Sequence, residues 1–194
     1  MLDVWPWDGD LNEVRTALSE GRILAIPTES SYGLAVDPRS IAGVEAIYRL
    51  KERERGKPLP VVAANLEQAI DLGVEPNEAI RLAEAHWPAP LTIVAPLRSG
   101  VSVPAAAGGD TLAVRVPDHD RLRAFLQALG HPLTATSANR SGEPPACELA
   151  DLEPILDAAA LVIGGERTPG GLASTVVSWS SAGLRVLRRG RFEF

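Results

Sequence analysis

The apolar run Ile23-Leu24-Ala25-Ile26 is the feature that most constrains what this chain can fold into. Two of its four residues are β-branched and none is polar, the pattern of a strand buried on both faces. Pro27 ends it, because proline has no N–H to give to a ladder. Directly beyond stand three hydroxyls (Thr28, Ser30 and Ser31), the carboxylate of Glu29, the phenol of Tyr32 and the permissive backbone of Gly33. Polar side chains held at the end of a buried strand can form the lip of a site. The same residues also make an ordinary polar turn, and composition alone favours that reading.

The rest of the chain alternates strands with helices. Asp10 and Glu13 have capping-box spacing, with Leu11, Val14 and Leu18 on one helical face and Gly21 as the stop. Ser40 caps a second helix with Ile41, Val44, Ile47 and Tyr48 inward. It runs into the charged segment 49–57 and ends at Gly56 and Pro58. Strands are expected at 59–63, 91–95, 111–116, 133–136 and 160–163; helices at 65–72, 77–87, 120–129 and, broken at Pro154, 147–159. Residues 99–110 are too small to be core and read as a long loop, as does the glycine-rich 164–171. Residues 174–179 and 184–187 read as an antiparallel hairpin. The sum is an α/β fold: one domain over residues 1–194, built on a twisted mixed parallel and antiparallel sheet flanked by helices.

Several function classes fall away. A net charge of −6 argues against a protein whose business is non-specific nucleic-acid binding. No apolar run approaches a membrane span and the N-terminus has no signal-peptide pattern, so a cytoplasmic protein without membrane contact is expected. Cys147 is the only cysteine, which rules out an intrachain disulfide or a multi-cysteine metal site, and it reads as a structural residue. His86, His119 and His131 lack ligand spacing, so no protein-held metal is expected. The common phosphate-cradle and nucleophile-elbow motifs are missing.

What remains is a series of polar segments at strand ends: PTESSYGL from Pro27, KERERGKPL from Lys51, LAVRVPDH from Leu112, TSANRSGEPP from Thr136, ASTVV from Ala173 and LRRG from Leu187. Each alone is weak, since a charge run such as 49–57 is usually a solvated helix face. In this order and spacing, from about Gly21 to Gly190, the chain resembles the YrdC-like (TsaC-type) threonylcarbamoyl-AMP synthases, in their short form without an extra C-terminal domain.

The resemblance implies a nucleotidyltransferase that condenses L-threonine, bicarbonate and ATP to threonylcarbamoyl-AMP and pyrophosphate. The product serves threonylcarbamoyladenosine modification of tRNA, through a separate transferase as partner and with room for direct tRNA contact. Mg²⁺ is expected with the ATP. Carried over by motif, Lys51, Arg53 and Lys57 are the catalytic cations and triphosphate contacts, with Thr111, Asn139 and Arg188 also on the nucleotide side. Ser30, Arg115, Ser137 and Ser174 form the threonine side, with Arg115 pairing with the amino-acid carboxylate. No nucleophilic serine or cysteine is needed, because an oxyanion attacks the α-phosphorus; the site must supply positive charge and alignment. The chain departs from the family pattern in having Ser30 for threonine, Ser31 for valine, Ala89 for glycine, and Val62 where some longer relatives carry histidine. The competing expectations are a nucleotide- or RNA-binding YciO-type relative without synthase activity, and a module detached from a larger carbamoyltransferase.

Overall fold

A computed structural model describes residues 2–140, 142–156 and 160–194. The expected mixture of parallel and antiparallel strands flanked by helices is present, divided between two sheets. The first contains, in spatial order, β1 (Asp3–Trp5), β9 (Leu161–Ile163), β2 (Leu24–Pro27), β3 (Tyr32–Ala35) and β8 (Thr136–Ser137). The second runs β11 (Gly183–Arg188), β10 (Thr175–Ser180), β5 (Leu91–Pro96), β6 (Thr111–Arg115), β4 (Val61–Val62) and β7 (Leu133–Thr134). Among the described residues no helix is long and apolar enough to cross a membrane.

The split falls where one strand was expected over 133–136. Thr134 pairs with Val61 in the second sheet and Thr136 with Leu34 in the first, so the chain changes sheets at Ala135, whose N–H donates to the Pro60 carbonyl at 2.8 Å. A strand that switches sheets makes a corner between two layers. The apolar run at residue 23 behaves as its composition demands. Leu24, Ala25 and Ile26 are fully buried between β9 on one side and β3 on the other. β3 is an addition to the expected elements: Pro27 pairs with Tyr32, and Gly33 lies within the strand instead of turning the chain.

Helix starts follow their caps. Asp10, Ser40, Asn65 and Asn77 accept from backbone N–H groups at the heads of α1 (Leu11–Ser19), α2 (Ile41–Lys51), α3 (Leu66–Leu72) and α4 (Glu78–Glu84). The cap of α5 (Asp120–Leu129) is His119, whose Nδ1 accepts from Leu122 N at 3.1 Å. Two expectations for α2 are corrected. It stops at Lys51 because Glu52 adopts a left-handed conformation, and Ile41, expected inward, is 72% exposed in the first turn. Of the helix expected over 147–159, α6 (Leu149–Leu152) is present, and residues 157–159 lie outside the described set.

Alternating strand residues feed two cores. Val14, Leu18, Leu122, Phe125 and Leu126 of α1 and α5 close over Leu24, Ile26 and Ile163. Val44, Ile47 and Tyr48 of α2, with Ala79, Ile80 and Ala83 of α4, cover Ala25, Leu34, Ile93 and Val114. Ala105 and Ala106, from the segment expected to be a loop outside the core, are fully buried in the second cluster. Small side chains there allow a 3₁₀ turn (Pro104–Ala106) to pass close beneath α2.

Candidate functional site

A cavity of about 420 Å³ opens between the two sheets. One wall comes from the β2–β3 turn and β8, through Thr28, Ser30 and Ser137; the other from β5, β6, β10 and β11, through Thr92, Ala113, Arg115, Val176 and Arg188. The strand period explains the second wall. Ala113 and Arg115 face the cavity, while Leu112 and Val114 between them are fully buried in core.

Six of the expected site residues line this one space: Ser30, Arg53, Arg115, Ser137, Ser174 and Arg188. The β2–β3 turn is both of the things its sequence allowed. Thr28 closes the turn, its N–H and Oγ1 both donating to the Ser31 carbonyl, at 3.2 and 2.7 Å, and Ser30 still faces the cavity. At the opposite side Arg188 donates to the Ser174 carbonyl through Nε at 3.2 Å and Nη2 at 2.9 Å, and to its hydroxyl through Nη2 at 3.2 Å. The Ser174 hydroxyl is also 2.8 Å from Thr92 Oγ1. Thr92 was missed from the sequence, although the hydroxyl that ends the WPAPLT segment was its signal.

Four expected residues do not line the cavity. Lys51 turns its ammonium to the loop after β8, donating to the carbonyl of Ser137 and to the carbonyl and Oδ1 of Asn139 at 2.8 and 3.0 Å. Asn139 is spent within that loop, accepting from Ser137 Oγ at 2.6 Å and donating to the Glu143 carbonyl at 2.7 Å. Lys57 is exposed and pairs with Glu54 at 3.1 Å. Thr111 shares a strand face with Ala113 and Arg115 but lies beyond the lining residues. Arg53 connects the segment to the cavity, with Nη2 on the Pro58 carbonyl at 3.0 Å.

The electrostatics are one-sided. Three arginines (Arg53, Arg115 and Arg188) line the space, and no carboxylate is among its lining residues. Burial, then the like charge of Arg188, pushes Arg115 down to about 10. Burial also lowers Arg188, and burial followed by the charge of Arg53 brings Lys51 down to about 8. Arg115 is not free: it forms an ion pair with Glu29, a residue that sequence reasoning left without a role. Such a cavity suits an anion with several oxygens, which arginine forks can hold bidentately.

Residues 16–190 match the model of the Sua5/YciO/YrdC family, described as telomere recombination. A curated relative, threonylcarbamoyl-AMP synthase of Idiomarina loihiensis, is 36% identical over 156 residues, covering 78% of this chain and 80% of the relative. The crystal structure of P. abyssi Sua5 complexed with L-threonine superposes with a TM-score of 0.83 at 30% identity; the match covers 98% of this chain and 57% of that one, so this chain is much shorter. E. coli YciO has a TM-score of 0.82 at 22% identity, covering 98% and 96% of the two chains, which is a likeness of fold alone.

Proposed function

The chain belongs to the Sua5/YciO/YrdC family, and on that premise we propose that it is a threonylcarbamoyl-AMP synthase, joining L-threonine, bicarbonate and ATP and releasing pyrophosphate. The observation that carries the reading is the cavity with three arginines and no carboxylate, floored by hydroxyls. Two of the three reactants are anions and the third brings a carboxylate, so a site of this charge binds all three without an acid or a nucleophile of its own.

In this reading the threonine carboxylate takes Arg115, and Ser30, Ser137 and Ser174 meet its amine and hydroxyl. The amine nitrogen bonds to the bicarbonate carbon with loss of water, and a carbamate oxygen then attacks the α-phosphorus as the bond to pyrophosphate breaks. Arg53, Arg188 and the exposed Lys57 offset charge on the departing phosphates, with Thr111 and Asn139 on the nucleotide side. Lys51 contributes by holding Ser137 and Asn139 in position, a bond pattern that supports a role as anchor over direct phosphate contact. Among the described residues no group of three His, Cys, Asp or Glu could hold a metal, so Mg²⁺ enters the proposal only as the counter-ion that ATP brings. The product feeds tRNA modification in the cytoplasm through a transferase that acts on tRNA.

The test is pyrophosphate release from ATP by the purified protein. Release that needs both L-threonine and bicarbonate, and is weak with L-serine, is the expected result; release independent of either contradicts the reading.

A further inference from the structure

Glu29 has no part in the chemistry above, although it sits between Thr28 and Ser30, which both face the cavity. It is 9% exposed, and Arg191 Nη1 holds its backbone carbonyl at 2.7 Å. Neither carboxylate oxygen accepts a hydrogen bond from another described group; the ion pair with Arg115 is its one partner. A buried carboxylate stabilised by backbone donors is fixed, whereas one that leans on a single guanidinium leaves most of its desolvation cost uncompensated.

Glu29 has somewhere to go. It borders a second cavity of about 450 Å³, distinct from the first, whose other charged or titratable lining residues are Asp118, His119, Arg167 and Arg191, so that two arginines there outnumber one carboxylate. Arg167 has no hydrogen-bond or ion-pair partner among the described residues, and the first cavity offers Glu29 no place in its lining. The Arg115–Glu29 pair therefore lies between two spaces, Arg115 lining the first and Glu29 bordering the second, with both carboxylate oxygens buried between them.

We propose that Glu29 is a displaceable counter-ion that a substrate carboxylate must remove from Arg115, which makes it a residue that sets the affinity of the amino-acid site. The proposal rests on the reading of Arg115 as the partner of that carboxylate. In the empty site Glu29 neutralises the buried guanidinium. When a carboxylate arrives, it takes Arg115, and Glu29 turns into the second cavity toward Arg167 and Arg191. Every carboxylate loses affinity by the fraction of molecules in which Arg115 is unpaired. A simple carboxylate such as acetate has nothing to set against that loss. An amino acid whose amine and hydroxyl meet Ser30, Ser137 and Ser174 does, so it still binds although the pair weakens both ligands by the same factor.

The test is titration calorimetry of the wild type and Glu29→Gln with L-threonine, acetate and ATP. Removing the competing charge while keeping the side-chain shape should tighten L-threonine and acetate alike by about tenfold and leave ATP unchanged. A residue that merely props Arg115 in place gives the opposite sign, weaker threonine binding. Unchanged or weaker threonine binding by Glu29→Gln therefore overturns the proposal. Because that variant leaves a buried arginine without its partner, Glu29→Asp is measured beside it; it keeps the charge but withdraws it by one methylene, and should tighten threonine in the same direction by a smaller factor. If the Gln variant does not fold, the Asp variant decides on the same criterion. Threonine binding that is lost in Arg115→Ala yet not tightened at position 29 removes this proposal and leaves the synthase reading standing; a wild type that binds no threonine removes both.

Discussion

Lys51 donates its ammonium to Asn139 twice, to the backbone carbonyl at 2.8 Å and to Oδ1 at 3.0 Å, and also holds the carbonyl of Ser137. This bond set ties the C-terminal end of α2 to β8, which contributes Ser137 to one cavity wall, and to the loop after it. Lys51→Met keeps the aliphatic stem and leaves those acceptors without their cation. It should cost about 2 kcal/mol of stability, read as a lower urea midpoint with unchanged slope.

The same lysine gives a pH dependence with a defined sign. Burial, then Arg53, moves Lys51 down from 10.5 to about 8. Over that window the unfolded chain binds more protons than the folded one, so the contribution of this group to stability is constant below the window and rises with pH through it. The neutral amine, however, has two donors for three acceptors, and the loop loses a bond in the same window. Turnover should therefore fall in one step above a pH of about 8, a step missing from Lys51→Arg, without a loss of urea stability attributable to Lys51. A pH–rate profile of both proteins checks this.

Arg53 and Lys57 separate by position. Arg53 lines the cavity, whereas the Lys57 side chain is 63% exposed and paired with Glu54. Arg53→Ala should lower kcat/KM for ATP by at least about tenfold. Lys57→Ala should lower it less, with an effect that shrinks at high salt, and should change stability by under about 0.5 kcal/mol. Steady-state kinetics at two ionic strengths compare them.

Gly73 tests the fold independently of the site. Its φ is +114°, and a Cβ there would stand 2.5 Å from Val101 Cγ1. Gly73→Ala should cost about 1–3 kcal/mol. Adding Val101→Ala should recover the steric share and not the backbone share, which a double-mutant cycle by urea unfolding separates.

Local signals in the sequence were reliable where the physics is local. Asp10, Ser40, Asn65 and Asn77 cap helices because a short side-chain acceptor needs only the next turn of backbone. His119 does the same work with a ring nitrogen, a role its sequence reading, which weighed it only as a metal ligand, did not include. Strand pairing is set by partners far along the chain, which is why the change of sheet at Ala135 and the strands β1 and β3 were not visible in advance. The site behaved similarly. Ser30, Arg53, Arg115, Ser137, Ser174 and Arg188 were read from motifs and meet in one cavity. The inward turn of Lys51 and the pairing of Arg115 with Glu29 depend on contacts between segments 86 or more residues apart, which no local pattern encodes.

If one arginine-lined cavity joins three reactants, carbon from bicarbonate must end in a nucleotide. Incubating the protein with ¹³C-bicarbonate, ATP, Mg²⁺ and L-threonine, and following the label by mass spectrometry, measures this. The expected result is ¹³C in an AMP-containing product that also carries threonine, formed only when both ATP and L-threonine are present and lost in Arg115→Ala. AMP and pyrophosphate released without label in any nucleotide, or labelled product formed equally well by Arg115→Ala, would contradict it.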